Sequence, residues 1–382
     1  MTNNTITQLL SEGQSVWLDD ISRGLIKSGE LKRRVEEIGI RGVTSNPTIF
    51  EKAISSGTDY DDSLMDLIEK GLPAAQIFEA VEVEDIRDAC DVLRSTYDAS
   101  DGRDGFISIE VSPGAARDAA ATRDEVQRLW TSVDRPNLMV KIPGTSEGAP
   151  VIGEMLRKGI NINITLLFSI QNYERVALAF VSAVEQRVAA GEPVDRLASV
   201  ASFFVSRVDT LVDKQLDAKI ASASNDEEAA TYRALQGRVA IANAKLAYAK
   251  FQEIFDSPRF APLRAAGAQV QRPLWASTGT KNPAYSDVLY IDTLIGPDTV
   301  NTMPEKTLYA FLDHGKVRRT VDTDLDQARQ VVADLAAAGM DLAAVTAQLE
   351  EEGITTFEKS FDALLAGVER KRSALKEAVA AT

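Results

Sequence analysis

The stretch LMVKIPGT, residues 138–145, places Lys141 inside an otherwise apolar run. Burial of an ammonium group costs several kcal/mol and favours the neutral amine. A neutral lysine amine can attack a carbonyl carbon and form a Schiff base, which draws electrons out of a neighbouring carbon–carbon bond. Cleavage of that bond then needs no metal ion. Lys141 is therefore the first candidate for covalent catalysis.

Other strand-like segments carry polar residues on a single face. Successive side chains of a strand point to opposite sides, so NINIT separates Asn163 and Thr165 from Ile162 and Ile164. The same alternation selects residues near the carboxyl ends of five segments: Asp19, Thr44, Asn46, Glu110, Lys141, Asn163 and Thr165. A structural polar core is the alternative interpretation. A functional site is favoured, because buried polar groups are costly unless all are hydrogen-bonded.

The chemistry of these side chains suits cleavage of a hydroxylated substrate. Asp19 and Glu110 are candidates to take and return a hydroxyl proton. Alternation alone does not separate Asp19 from Asp20. The amides of Asn46 and Asn163 are suited to the hydroxyl groups of a sugar.

The segments that must position these residues alternate between strand-like and helical patterns. The strand-like runs are 15–20, 42–46, 105–112, 138–142, 162–168, 198–205, 272–278 and 287–295. Eight such units predict an α/β fold, specifically a closed (β/α)8 TIM barrel with additional helices. We expect one domain over residues 1–382, with extra helices at about 208–271 and C-terminal helices at about 324–382. Nucleotide-binding glycine motifs are absent from the sequence.

Composition narrows the class of ligand. The 382 residues carry a formal net charge of −15, which disfavours nucleic acid and anionic membranes as partners. An anionic substrate would therefore need a few placed cations. The sequence lacks a long apolar run and a secretory leader, so we expect a cytoplasmic protein. A single histidine, His314, and a single cysteine, Cys90, argue against a zinc centre, and we expect neither metal nor cofactor.

Four motifs carry a resemblance to a known family. GVTSNPTIF, MVKIPGT, GININITLLFS and STGTKNPAYSD occur in this order over nearly the whole chain, from about Trp17 to the C-terminal helices. Together they resemble the transaldolases, in particular the long bacterial form. The resemblance implies transfer of a dihydroxyacetone unit from a ketose phosphate to an aldose phosphate in the non-oxidative pentose phosphate pathway. It implies sugar phosphates as partners. The sequence leaves the choice between a monomer and a homodimer open.

The resemblance also implies roles for individual residues. Lys141 matches the Schiff-base lysine and Asp19 the acid/base for the C4 hydroxyl, while Glu110 and Thr165 match the pair that holds a catalytic water. Substrate binding is implied for Thr44, Asn46 and Asn163 at the dihydroxyacetone unit, and for Ser202, Arg207 and Lys281 at the phosphate. The choice between Ser277 and Thr278 as a further phosphate contact stays open.

Two other functions are compatible with these residues. The first is an aldolase that releases free dihydroxyacetone. The related short aldolases have glutamine at the Glu110 position and tyrosine at the Phe204 position, so Glu110 and Phe204 favour transfer. The second is a barrel that binds sugar phosphate without turnover.

Overall fold

Eight parallel strands form a closed barrel in which each strand pairs with its neighbours in chain order and the first pairs with the last. The computed structural model describes residues 4–55 and 57–380. The strands are β1 (Gln14–Leu18), β2 (Gly42–Val43), β3 (Phe106–Glu110), β4 (Leu138–Pro143), β5 (Ile162–Leu167), β6 (Ser199–Phe204), β7 (Arg272–Ala276) and β8 (Thr299–Met303). The predicted (β/α)8 TIM barrel is confirmed.

Helices surround this barrel. The helices that precede β6 are α1 (Thr5–Ser11), α2 (Arg23–Lys27), α3 (Glu30–Arg33), α4 (Pro47–Ser55), α5 (Asp61–Glu69), α6 (Ala74–Ala99), α7 (Ala119–Val133), α8 (Gly148–Arg157) and α9 (Ile170–Ala189). A π-helical turn, Arg34–Ile38, continues α3. Capping side chains define several helix starts; Ser169, for example, accepts a hydrogen bond from the Asn172 amide at the start of α9.

Four helices lie between β6 and β7, where the sequence has its longest interval between strands. They are α10 (Ser206–Ala221), α11 (Asp226–Arg233), α12 (Val239–Phe255) and α13 (Ala261–Ala265). The remaining helices are α14 (Leu289–Asp292), α15 (Glu305–His314), α16 (Leu325–Ala337) and α17 (Leu342–Ala380). The long α17 packs against α4 and also contacts α6 and α10.

The expected eighth strand at 287–295 is wrong. That segment contains the short helix α14, and the eighth strand is instead TVNTM, Thr299–Met303. The apolar run of the segment packs as a helix because Tyr290 is buried and donates a hydrogen bond to Asp209 of α10. The true strand was overlooked because it carries mainly threonine and asparagine.

The amino-terminal end of the barrel is filled by side chains. Trp17, Phe106 and Tyr97 belong to one buried cluster in the barrel interior. At the same end of the barrel, Arg272, the first residue of β7, donates to Asp104 at 2.9 Å and to Ser15 at 2.8 Å. Because this end is closed and packed, space for a ligand remains at the carboxyl end of the strands.

No single helix within residues 4–55 and 57–380 is long and apolar enough to cross a membrane. Only when α16 and most of α17 (Leu325–Ala337 and Leu342–Glu377) are taken together are they long and apolar enough, and the two helices meet at an angle of 90°.

Candidate active site

A cavity of about 360 Å³ opens at the carboxyl end of the barrel strands. It is lined by all of the predicted site residues except Asn163: Asp19, Thr44, Asn46, Glu110, Lys141, Thr165, Ser202, Phe204, Arg207 and Lys281. These residues come from seven different strands or the loops that follow them. The barrel therefore brings together side chains that are far apart in sequence.

Lys141 lies at the centre of this arrangement because of the strand register. It is paired with Glu110 on β3 and with Asn163 on β5. Its Nζ donates to Glu110 Oε2 and to the Ser45 carbonyl oxygen, each at 3.1 Å. The Lys141 side chain is 11% exposed and the Glu110 side chain 8% exposed, so a buried ion pair borders the cavity.

Asp19 and Asp20 are separated by the structure. Asp19 lines the cavity and accepts a hydrogen bond from Thr44 Oγ1 at 2.8 Å. Burial raises the pKa of the Asp19 carboxyl, and the nearby Lys141 ammonium partly opposes this effect. Asp20 does not line the cavity, and its electrostatic neighbours are Glu305 and Arg34.

The Glu110 carboxyl has electrostatic surroundings similar to those of Asp19. Burial raises the pKa of its carboxyl, while Lys141 lowers it and the charge of Asp19 raises it further. Two carboxylates and one ammonium thus share a small, partly dehydrated space. Such a site favours proton exchange among the three groups.

The backbone is irregular where β5 reaches the cavity. The pairing of β5 with β6 shifts register between Ile164 and Leu167, which is a β-bulge. Leu166 adopts a left-handed conformation with φ of 59° and lines the cavity. A left-handed leucine is uncommon, and the bulge directs both Thr165 and Leu166 towards the cavity.

Asn163 lies next to the cavity but does not line it. Its Nδ2 donates to Ser108 Oγ at 3.0 Å, and its Oδ1 accepts from Ser202 Oγ at 2.7 Å. Asn163 is fully buried in these contacts. Its amide therefore holds Ser202, which does line the cavity.

Two cations, Arg207 and Lys281, line the cavity. The Arg207 Cζ is 5.2 Å from the centre of the Phe204 ring, and burial lowers the pKa of the Arg207 guanidinium. Neither Arg207 nor Lys281 has an ion-pair partner within 4 Å among the described residues. Of the two neighbouring hydroxyls, that of Ser277 lines the cavity, whereas Thr278 is buried and donates to Asn301 at 2.9 Å.

Thr302 and the helix α17 are among the contributors to the cavity that the sequence did not predict. Thr302 on β8 lines it and shares a 2.8 Å hydrogen bond with Thr44. In TVNTM, Thr302 shares a face with Val300, while the other face carries Thr299 and Asn301. Because both faces are polar, alternation alone would not have indicated Thr302. The second contributor is α17, which supplies Gly353, Thr356, Phe357 and Ser360. Its sequence carries no local signal that it reaches the barrel mouth.

The remaining candidates for metal or thiol chemistry lie elsewhere. Among residues 4–55 and 57–380, no group of three or more His, Cys, Asp or Glu side chains is arranged to hold a metal ion. His314 is exposed at the end of α15 and contacts Asp287 at 2.8 Å, which raises the pKa of its imidazole. Cys90 is buried, and burial raises the pKa of its thiol.

Comparison with known proteins gives a consistent result. Residues 16–368 match the family model described as transaldolase/fructose-6-phosphate aldolase. A protein of Frankia alni named transaldolase is 49% identical and aligns over 95% of this chain and 96% of its own. Proteins with the same name from Trichodesmium erythraeum and Mycolicibacterium smegmatis are 45% and 44% identical, each over at least 97% of both chains.

Proposed function

Because the chain belongs to the transaldolase/fructose-6-phosphate aldolase family, we propose that it catalyses the transaldolase reaction. A dihydroxyacetone unit passes from sedoheptulose 7-phosphate or fructose 6-phosphate to glyceraldehyde 3-phosphate or erythrose 4-phosphate. This reaction belongs to the non-oxidative pentose phosphate pathway. We propose that it proceeds in the cytoplasm, in a monomer or homodimer.

The first chemical step is formation of a Schiff base on Lys141. Glu110 Oε2, 3.1 Å from Nζ, accepts a proton from the ammonium group and leaves a neutral amine. The amine attacks the C2 carbonyl carbon of the ketose to form a carbinolamine. Glu110 returns its proton to the carbinolamine hydroxyl, which leaves as water and gives the protonated Schiff base. A raised pKa makes the Glu110 carboxylate a better proton acceptor than an ordinary surface carboxylate.

Carbon–carbon cleavage follows from removal of the C4 hydroxyl proton. Asp19 takes this proton, the C3–C4 bond breaks, and its electron pair moves into the Schiff base. The aldose phosphate leaves, while the three-carbon unit stays on Lys141 as an enamine. C3 then attacks the acceptor aldehyde and Asp19 returns the proton. Hydrolysis finally releases the new ketose, with Glu110 and Thr165 assigned to hold the water.

Binding of the sugar phosphate uses the remaining lining residues. Thr44 and Asn46 are assigned to the dihydroxyacetone hydroxyls, and Asn163 acts through the hydroxyl of Ser202. Arg207 and Lys281 are assigned to the phosphate, since a protein of net charge −15 needs placed cations to hold an anion. Phe204 contacts the guanidinium of Arg207 and limits its freedom.

One observation carries the proposal. A buried lysine–carboxylate pair shares a cavity with a second carboxylate, Asp19, and with two cations, Arg207 and Lys281. A site that only bound sugar phosphate would not need to bury this ion pair, whose desolvation is unfavourable. Catalysis explains the buried pair, because Glu110 takes a proton from Lys141 and the resulting neutral amine acts as the nucleophile.

Product analysis tests the proposal. With fructose 6-phosphate and erythrose 4-phosphate, we expect sedoheptulose 7-phosphate and glyceraldehyde 3-phosphate in equal amounts. Without acceptor, free dihydroxyacetone should form far more slowly. Equal rates of dihydroxyacetone release with and without acceptor would favour the aldolase, and no turnover in either assay would favour a binding protein.

A further inference from the structure

A second cavity, of about 260 Å³, lies between α12 and the start of α16. We call it the α12–α16 cavity. It is lined by Arg238, Ile241, Ala242, Lys245, Thr293, Arg318, Thr320, Thr323, Asp324, Gln327, Ala328 and Val331. None of these residues lines the catalytic cavity. The two cavities are therefore separate sites.

Three cations line this cavity: Arg238 at the residue before α12, Lys245 of α12, and Arg318 of the segment before α16. Other arginines nearby have carboxylate partners, such as Arg319 with Asp322 and Arg329 with Asp326. Among the described residues, no carboxylate oxygen lies within 4 Å of the three cavity cations. Their charges are thus not neutralised by direct ion pairs.

Lys245 has the most unusual environment of the three. Its side chain is buried, and Nζ donates to the Thr323 carbonyl oxygen at 2.9 Å. Burial lowers the pKa of its ammonium group, and the charge of Arg318 acts in the same direction, opposed by the carboxylates of Asp324 and Asp322. An anion between Lys245 and Arg318 would be attracted by both positive charges.

The rest of the lining suits a small phosphorylated ligand. Asp324 is the only carboxylate in it, so cations outnumber anions by three to one. The hydroxyls of Thr293, Thr320 and Thr323 donate to backbone carbonyl oxygens, so the cations are the donors available to a phosphate. Ile241 and Val331 offer apolar contact. The first turn of α16 adds amide groups that have no side-chain cap. The volume lies just below that of typical drug-sized pockets and is therefore too small for a large ligand.

We propose that the α12–α16 cavity binds a phosphate group, carried by inorganic phosphate or by a phosphate monoester of a small metabolite. Arginine forms paired hydrogen bonds with phosphate oxygens, and Lys245 adds a third positive charge. This site is independent of the proposed transaldolase chemistry.

Calorimetric titration tests the proposal. Inorganic phosphate and glycerol 3-phosphate are the two probes, at constant ionic strength, and the protein carries Arg207→Met and Lys281→Met to remove the cations of the catalytic cavity. We expect one remaining site for at least one probe, and the probe that binds identifies the source of the phosphate. Absence of binding for both probes would overturn the proposal.

A pair of charge reversals locates the remaining site. Arg318→Glu in the same background should raise the Kd at least about tenfold, since a bidentate phosphate contact becomes a repulsion. Arg329→Glu is the matched control, because Arg329 lies on α16 outside the cavity and its substitution changes the net charge equally. Equal effects of the two reversals would overturn the proposal.

A second measurement uses the otherwise unaltered protein. Arg318→Glu should bind one phosphate fewer than the unaltered protein and keep its melting temperature, because Arg318 is exposed. Arg329→Glu should bind as many phosphates as the unaltered protein. An unchanged number of sites in Arg318→Glu would also contradict the proposal.

Discussion

Two adjacent carboxylates, Asp19 and Asp20, show how position decides the chemistry of a residue. The Asp19 carboxyl faces the cavity, accepts a hydrogen bond from Thr44 and lies near Lys141. Asp20 lies outside the cavity, near Glu305 and Arg34. The residue types are identical, so only the direction of the side chain at the end of β1 distinguishes them.

Asp19→Asn should reduce kcat by about 10²-fold to 10⁴-fold, the usual contribution of a general acid or base. The KM should change little, because an amide keeps the size and the hydrogen-bonding capacity of the carboxyl. Steady-state kinetics with fructose 6-phosphate and erythrose 4-phosphate measure both values. Asp20→Asn is the matched control and should change kcat by less than about threefold. Comparable losses in the two variants would remove Asp19 from its assigned role.

At the scale of elements, α10 connects the catalytic cavity with the helices inserted between β6 and β7. Arg207 lies in its first turn, and Asp209 accepts hydrogen bonds from the Ala240 amide at 2.7 Å and from the Tyr290 hydroxyl at 2.9 Å. These bonds join α10 to α12 and α14. Burial raises the pKa of the Asp209 carboxyl to about 7.

This raised pKa predicts a pH-dependent stability. Between the unfolded pKa near 3.8 and the folded pKa near 7, the folded protein keeps a proton that the unfolded chain has released. The free energy of unfolding should therefore fall as pH rises through this window, by up to about 4 kcal/mol. In Asp209→Asn, the free energy of unfolding should differ less between pH 5 and pH 7.5. Urea unfolding at the two pH values measures this difference. Asp217→Asn, at an exposed position of α10, should leave it unchanged, and a similar slope in both variants would refute the assignment.

The helix α17 forms one wall of the catalytic cavity. Phe357 is buried and lines the cavity, whereas Phe361, one turn later, packs 6.0 Å from the Phe78 ring and does not line it. Phe357→Ala and Phe361→Ala should both lower the melting temperature, because each leaves a void. Only Phe357→Ala should raise the KM for fructose 6-phosphate, by roughly fivefold, equivalent to about 1 kcal/mol of binding. Equal KM values would show that α17 does not contribute to binding.

Local sequence patterns predicted the elements unevenly. Strands such as NINIT were predictable because their two faces differ in polarity, and this contrast also indicated Asn163 and Thr165. The strand TVNTM was missed because both of its faces carry polar residues. The segment 287–295 was misassigned as a strand because it is largely apolar, although it contains the helix α14. The place of α17 depends on its packing against α4 and α6, so no local pattern could reveal it.

At the scale of the whole molecule, the amino-terminal end of the barrel stabilises the fold and the carboxyl end forms the candidate active site. The amino-terminal end contains the buried ion pair between Arg272 and Asp104 and the aromatic cluster of Trp17, Phe106 and Tyr97. The carboxyl end contains the cavity and its ionisable groups. Stability and chemistry should therefore respond separately to substitution.

Arg272→Met tests this separation. It leaves the buried Asp104 carboxylate without its cation and should reduce the free energy of unfolding by about 3 kcal/mol. Adding Asp104→Asn should restore part of the loss. The kcat and KM should match those of the unaltered protein at temperatures where the variant is folded. A large loss of kcat in the folded variant would show that the two ends are coupled.

Borohydride trapping tests the central claim, the covalent role of Lys141. The protein is treated with sodium borohydride in the presence of fructose 6-phosphate and analysed by peptide mass spectrometry. We predict a reduced three-carbon adduct on Lys141, present also in Lys281→Met and absent in Lys141→Ala. No adduct, or an adduct on a different lysine, would contradict the account.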